Sequence, residues 1–522
     1  MPRPAVLLLL ITSGLCPAWT ARRGSPAGDL VPTALGFDSA GGVCVAATTP
    51  GTGGTDMLIL RYDQLGALSW SDTIDGPGSA GDSARSLTIG PDGRLFVTGT
   101  VTGTTGPDLG TVCYGPGGAE LWRAYFNAES SGADRAVAVV PDLAGGCYVT
   151  AAAWNGTARQ DDILTVRYDS LGRFAWKAWY NGVARRNDRP AAALPDGDGG
   201  IIIIGTTEGT ADSVWGVFIA YAPDGRQTWF DVRRAGRTFL PRAARLDPGR
   251  TLRVTGSADF GPPGGWDCYT LAFGPDRNLR WTERFNASGS PPDHGLAIAN
   301  TPDTTSHLAV LSFPGRTDLT VLRLSPAGGL RDWVTLRLAE DSAWHPAGVV
   351  CRRNGDFIAL GSRVGPAGDF DFHAACFDSN GNPRWTGEYR GPAGDDILLA
   401  WADDGQSRLA LVGASLGTSG YLETVTIVWP LTGPGLAEDT PQSPEAGRFR
   451  PPALVRAGVP LRLAVGRAAA LTLRDAAGRV ARSATGANLL ELPTAGLAPG
   501  VYFLRREEPG RAALVSRLTI VR

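Results

Sequence analysis

Apolar residues in this chain fall into short runs of strand length, separated by clusters of Gly, Pro, Asp and Asn. Residues 136–140 form one apolar run, 141–146 a turn, and 147–151 a second run rich in small and β-branched residues. A polar loop covers 154–161. Asp162 then opens a third run at 163–168, and Asp169, Ser170, Leu171 and Gly172 turn the chain into a fourth strand carrying Trp176. Runs of this length, bounded by turn formers, predict strands. No segment carries a long 3.6-residue apolar period with caps, so helices are not expected.

This unit repeats. Tryptophans recur at Trp19, Trp70, Trp122, Trp176, Trp229, Trp281, Trp333 and Trp385, with gaps by subtraction of 51, 52, 54, 53, 52, 52 and 52. An aromatic or large apolar residue stands eight or nine places before each later tryptophan: Tyr62, Tyr114, Tyr168, Tyr221, Phe273, Leu324 and Phe377. Glycine stands four before it at Gly66, Gly118, Gly172, Gly225, Gly329 and Gly381, and Arg277 breaks the rule. Glycine at such a turn supplies positive φ. Four strands in about 50 residues, repeated, predict the blades of a β-propeller.

The units begin near Asp29, Asp82, Asp134, Asp188, Arg237, Asp293, Asp341 and Asp395. The last offers three strands, at 397–402, 409–414 and 422–429, and then stops. Residues 23–29 echo 390–395, and both stretches follow a tryptophan of the series. Residues 19–24 are therefore expected to run antiparallel beside 422–429, completing the eighth blade and leaving no open sheet edge. The predicted fold is all-β: an eight-bladed propeller of four-stranded blades over 19–433, a linker at 434–450, and a small β-sandwich at 451–522.

Composition narrows the chemistry. The 522 residues carry a formal net charge of −2, with pI about 6.2. There is no basic stripe, so nucleic acid is not an expected partner. Lys177 is the one lysine among 49 basic residues, which leaves almost no room for lysine-based covalent catalysis. Residues 1–18 read as a secretory signal, with Arg3, an apolar stretch at 5–15 and a small-residue cleavage site ending at Ala18. Lipidation at Cys16 is the alternative. The apolar stretch is too short to span a bilayer, and no transmembrane segment is expected after its removal. The expected location is secreted or at the outer cell surface.

Beyond the signal lie Cys44, Cys113, Cys147, Cys268, Cys351 and Cys376. An even count in an exported protein invites disulfides. Their places inside apolar runs predict free, buried thiols instead. No CxxC pair or Cys/His cluster indicates zinc.

Asp56, Asp108, Asp162, Asp212, Asp267, Asp318 and Asp371 recur before the third strand. They read either as a ring of carboxylates holding calcium or a sugar, or as strand-entry caps bonding their own turns. Regular recurrence favours the caps. His294 and His345 begin adjacent units and are placed at the channel mouth; His307 and His373 complete the set. Asp161–Asp162 and Asp395–Asp396 are neighbours in sequence, so they point to opposite faces of a strand and form no acid/base couple by spacing. No hydrolase, zincin or phosphate-loop motif occurs. No residue is therefore assigned as catalytic, cofactor-binding or metal-binding, and no cofactor is expected.

The units, on their Tyr-Asp, Leu-Gly and Trp core, resemble a bacterial β-propeller repeat across about 19–433. The tail resembles the sorting domain of type IX secretion substrates, on the motifs at 473–480 and 497–504 and the final strand ending in Arg522. That resemblance implies export across the outer membrane with the secretion machinery as partner. The repeated Asp, Gly and Trp also resemble eight-bladed quinoprotein dehydrogenases, but the adjacent-cysteine pair of that family is absent. The overall expectation is a binding or scaffold module for a protein or carbohydrate ligand. The alternative is an extracellular enzyme, either a glycan-active hydrolase or lyase or a degenerate quinoprotein.

Overall fold

The computed structural model describes residues 5–8, 14–15, 17–78, 80–103, 106–128, 132–154, 160–210, 212–261, 265–286, 292–300, 306–312, 318–337, 344–352, 354–365, 368–379, 381–392 and 394–431, and in the tail 454–456, 461–464, 469–475, 480–486, 489–495, 497, 500–507 and 514–521. The chain divides into two units, residues 1–437 and 438–522. Among the described residues every element is a strand.

In the first unit the strands pair as eight four-stranded antiparallel sheets. Blade three shows the plan, with Arg135–Pro141 innermost, then Cys147–Trp154, Asp161–Tyr168 and, outermost, Phe174–Tyr180. Second and third strands are apolar on both faces because a sheet lies against each side. Each inner strand touches the inner strand of the next blade, and that of blade eight (Asp396–Asp403) touches that of blade one (Val31–Phe37). The ring is closed, and this unit is a β-propeller. Blades four and five share one further parallel bridge, Val214 to Thr238.

Closure follows the predicted route. Trp19–Arg23 pairs antiparallel with Leu422–Pro430, from Trp19 opposite Val428 to Arg23 opposite Thr424. The Leu30 N–H donates to the Leu422 carbonyl at 2.9 Å, and Arg22 forms an ion pair with Glu423 at 2.9 Å. One cluster of apolar side chains (Leu35, Val45, Leu60, Val412 and Val428) spans blades eight and one. Ahead of this strand, Ala5–Leu8 and Gly14–Leu15 lie parallel beside the outer strands of blades six and seven, each already four-stranded.

The tryptophans dock neighbouring blades. Five of them pack on the turn glycine of the following blade, where an added Cβ would come within 2.7 Å of Trp19 at Gly66, 2.3 Å of Trp70 at Gly118 and 2.5 Å of Trp122 at Gly172, with Trp176 at Gly225 and Trp281 at Gly328 alike. The same rings meet the aromatic of the next blade, Trp19 with Tyr62 at 5.8 Å, Trp70 with Tyr114 at 5.2 Å and Trp122 with Tyr168 at 5.7 Å. Trp176 and Trp281 add a hydrogen bond from the indole N–H to the carbonyls of Pro223 and Pro326 in the next turn. Arg277, the exception to the glycine rule, itself takes positive φ of 62° and lays its guanidinium over Trp229.

Trp333 departs from this plan. In the other hairpins the tryptophan opposes the residue just before the aromatic, as Trp176 opposes Arg167. In blade six Asp332 holds that place and Trp333 falls one residue later, opposite Leu322. A one-residue slip sends a side chain to the other face. Trp333 accordingly packs back on Phe285 of blade five, edge to face at 6.0 Å. The turn glycine with positive φ is Gly328, and Gly329 is not the equivalent of the other turn glycines.

The six cysteines among the described residues form no disulfide, five buried and Cys351 half-buried. Burial pushes Cys44, Cys113, Cys268 and Cys376 up to about 12, far from reactive thiolates. The tail forms a five-stranded sheet in the order Leu454–Arg456, Leu514–Val521, Gly500–Glu507, Ala469–Asp475 and Val480–Gly486, and a two-stranded sheet of Leu461–Ala464 and Leu489–Leu492. Leu471, Leu473, Leu492 and Leu504 are buried in it. Among the described residues no helix is long and apolar enough to cross a membrane.

Candidate functional site

Inner and third strands both begin at one face of the propeller, and the recurrent aspartates gather there. Pairing register places the third-strand series at Asp56, Asp108, Asp162, Trp215, Asp267, Asp318, Asp371 and Glu423. Asp212 is thus not a member. It sits three residues before Trp215 in a loop at φ 55°, almost fully exposed, 3.5 Å from Arg186.

Among the described residues, Asp56 and Asp108 show no hydrogen bond to their own turns, and Asp267 bonds Arg284 and Asn286 instead. That task belongs to other aspartates, such as Asp142 and Asp196, which accept the N–H groups of Gly146 and Gly200 in their hairpin turns. The third-strand carboxylates instead face a second series at the start of the next blade's inner strand. Asp108 faces Asp134, Asp162 faces Asp188, and Asp371 faces Asp396. The inner-strand members brace the incoming loop. Asp134 accepts the Ala128 N–H at 2.8 Å and Asp188 the Gly182 N–H at 2.6 Å. Between blades four and five both carboxylates are replaced together, by Trp215 and Phe239, and Arg234 stacks on Trp215 at 3.9 Å.

Two like charges in a buried junction do not ionise together. Burial, with Asp108 adding to it against the Ala128 hydrogen bond, raises Asp134 to about 7. Burial and then Asp188 raise Asp162 to about 7. Asp371 reaches about 6, raised by burial and held back by Arg390 at 3.1 Å. Folded protein therefore binds more protons than unfolded protein between the ordinary carboxylate range and about pH 7. The stability these groups supply is fully present below about pH 4 and lost as pH rises through 6–7. Urea midpoints should fall from pH 5 to pH 7.5, and Asp162→Asn should flatten that slope; an unchanged slope would mean Asp162 is ionised throughout.

At the first junction three carboxylates converge, with oxygens of Asp56, Asp75 and Asp82 within 4.8 Å of one another. The position of Asp75 is held by Asn127, Asn181 and Asn286 in blades two, three and five. Burial and these neighbours raise Asp56. An all-oxygen group of this kind is the arrangement on this face best suited to a hard divalent cation. Both Asp82 oxygens already accept backbone N–H groups, from Gly76 and Thr102.

Two of the histidines stand where expected. His294 and His345 occupy one register position on the inner strands of blades six and seven. His294 is half-buried, its Nδ1 2.9 Å from Ser257 Oγ and its ring against Trp266; burial first and then Arg242 lower its pKa. His345 is exposed and meets Phe370 edge to face at 4.3 Å. His373 is buried within blade seven and pushed down to about 3, so it stays neutral. The side chains of His307 and Asp318 lie outside the described residues.

Sequence reasoning missed the feature that shapes the axis. Every inner strand carries one bulged residue at the same place: Thr33, Arg85, Val137, Ala191, Arg242, Leu296, Ala347 and Leu399. The residue after each bulge is small, Ala in six blades, Ser86 and Gly348 in the others. The recurring small residue was the available signal.

No protein-family model matches this sequence, and no curated protein matches it. Among solved structures the chain is similar to the quinohemoprotein alcohol dehydrogenase from Comamonas testosteroni, at 10% identity over 86% of this chain and 81% of that one, with a TM-score of 0.48. It is also similar to Sqt1 from Chaetomium thermophilum, at 12% identity over 80% and 100% with a TM-score of 0.47. The polysaccharide lyase Uly1 aligns at 10% identity over 80% and 100%, with a TM-score of 0.44.

Proposed function

We propose that this protein is a secreted or surface-displayed propeller that acts as a binding or scaffold module and is exported through its C-terminal domain. One observation carries the binding reading. The buried frame repeats from blade to blade, while the exposed bulge positions on the axial strands differ in chemistry, from Arg85 and Arg242 to Ala191 and Leu399. A rigid frame presenting variable exposed side chains is how a scaffold builds recognition. The signal at 1–18 and the tail motifs at 473–480 and 497–504 support export.

An extracellular enzyme is the second reading, favoured by carboxylates raised to about 7 on the same face. Against it, Asp134 and Asp162 are only 1% and 2% exposed, and Asp134 is engaged as a brace. The full chain, applied to arrays of glycans and envelope proteins, should retain a ligand without altering it. Chemical turnover of a retained ligand, lost in Asp162→Asn, would replace the scaffold reading with the enzyme. For export, deleting 451–522 in a host with a type IX system should abolish surface delivery; unchanged delivery would refute that role.

A further inference from the structure

The inner strands alternate strictly at the face just described. On these axial strands the bulged residue and the residue two before it are exposed or half-buried, and the residue between them is buried or half-buried, as in exposed Ser83, buried Ala84 and exposed Arg85. Two such positions on each of eight strands make sixteen. None is Asp or Glu, although 51 of the 522 residues are acidic. Six are Arg or His: Arg85, Arg135, Arg189, Arg242, His294 and His345. Four of the six are arginines, so in a chain of net charge −2 these sixteen positions carry fixed positive charge and no carboxylate of their own.

The cations are not consumed by the fold. Arg135 and Arg189 share a single partner, Asp161, at 3.3 and 2.9 Å. Arg85 and Arg242 are exposed, and neither has an ion-pair partner among the described residues. Arg242 lies close enough to His294 to act on its charge, so the cluster runs from blade five into blade six. The same rim holds aromatic faces, with Trp266 against His294 and Phe370 against His345, both half-buried. Guanidinium groups hold carboxylate or sulfate in two-point hydrogen bonds. Aromatic rings beside them suit the C–H faces of sugar rings and do nothing for a bare anion.

We propose that this axial mouth binds an acidic polysaccharide, its carboxylate or sulfate groups held by Arg85 and Arg242, with Arg135 and Arg189 beside them and the rings of His294 and His345 on the same rim. The proposal rests on the binding-module reading and names its ligand class.

The test is calorimetric titration of the full chain with an oligogalacturonate and a sulfated dextran oligomer, beside neutral dextran, sodium sulfate and poly-glutamate. An acidic oligosaccharide should bind with an affinity that falls steeply with salt, and neutral dextran should not. Arg85→Gln with Arg242→Gln should weaken binding at least about tenfold with an unchanged melting temperature, and the Lys–Lys pair should recover part of it. Equal affinity in the Gln pair would overturn the assignment. Sulfate or poly-glutamate binding as tightly as the saccharides would overturn the polysaccharide. If arrays capture a neutral or protein ligand and no acidic saccharide binds, this inference fails while the binding module stands. If nothing binds anywhere, both fail.

Discussion

A chain beginning at Asp29 should lose most of the stability of one beginning at Trp19. The ten residues between them supply the outer strand of blade eight, paired along Leu422–Pro430. They also carry Trp19 onto Tyr62 and Gly66 of blade one. Their removal strips the interblade seam of its indole, breaks the Arg22–Glu423 pair and exposes the backbone edge of an apolar strand. Losing a packed tryptophan alone costs about 3–5 kcal/mol, against a total stability of about 5–15 kcal/mol for a typical domain. The bare edge is also a template for association. The truncated chain should melt more than about 10 °C lower, on the basis that each kcal/mol moves a large domain by about 2–4 °C, and it should elute as aggregates. An unchanged melting temperature and a monomeric profile would show that the ring closes without this strand.

That closure was legible in the sequence because it depends on counting. The tryptophan spacing sets the unit, the unit has four strands, and the last one lacks a strand that the start of the chain holds. The thiols were legible for the same reason: strand-interior positions are buried whichever face they take. The carboxylate series was not. Asp212 stands nine residues before Tyr221 where the other six stand six before the equivalent residue, and Trp215 holds the aligned position, opposite Thr207. The third-strand carboxylates looked like local caps because sequence shows near neighbours. Their partners, Asp134, Asp188 and Asp396, come from the next blade. The axial cations lie at the bulge or two residues before it, where plain alternation still holds, so register did not hide them. An alternating pattern read without the bulge puts Arg85 in phase but every residue beyond it on the wrong side.

The slip in blade six shows the same limit and gives the sharpest test of the docking scheme. Trp122 is 9% exposed, tilted against Tyr168 and seated on Gly172. Trp122→Ala should cost about 3–5 kcal/mol in chemical denaturation. Gly172→Ala should cost about 1 kcal/mol for a side chain at φ 76°, and about 1–3 kcal/mol more because its Cβ would overlap the indole. In the Trp122→Ala background only the conformational cost remains, so the two changes should couple by about 1 kcal/mol or more. Strict additivity would mean that the glycine is needed for its turn alone. Trp333 provides the contrast. It follows Leu324 by nine residues where the other tryptophans from Trp70 onward follow their aromatic by eight, so it faces blade five. Trp333→Ala and Gly381→Ala, placed where the regular scheme would join them, should therefore be additive within about 0.5 kcal/mol. Coupling as strong as that of Trp122 with Gly172 would put Trp333 back in register with the others and remove the slip.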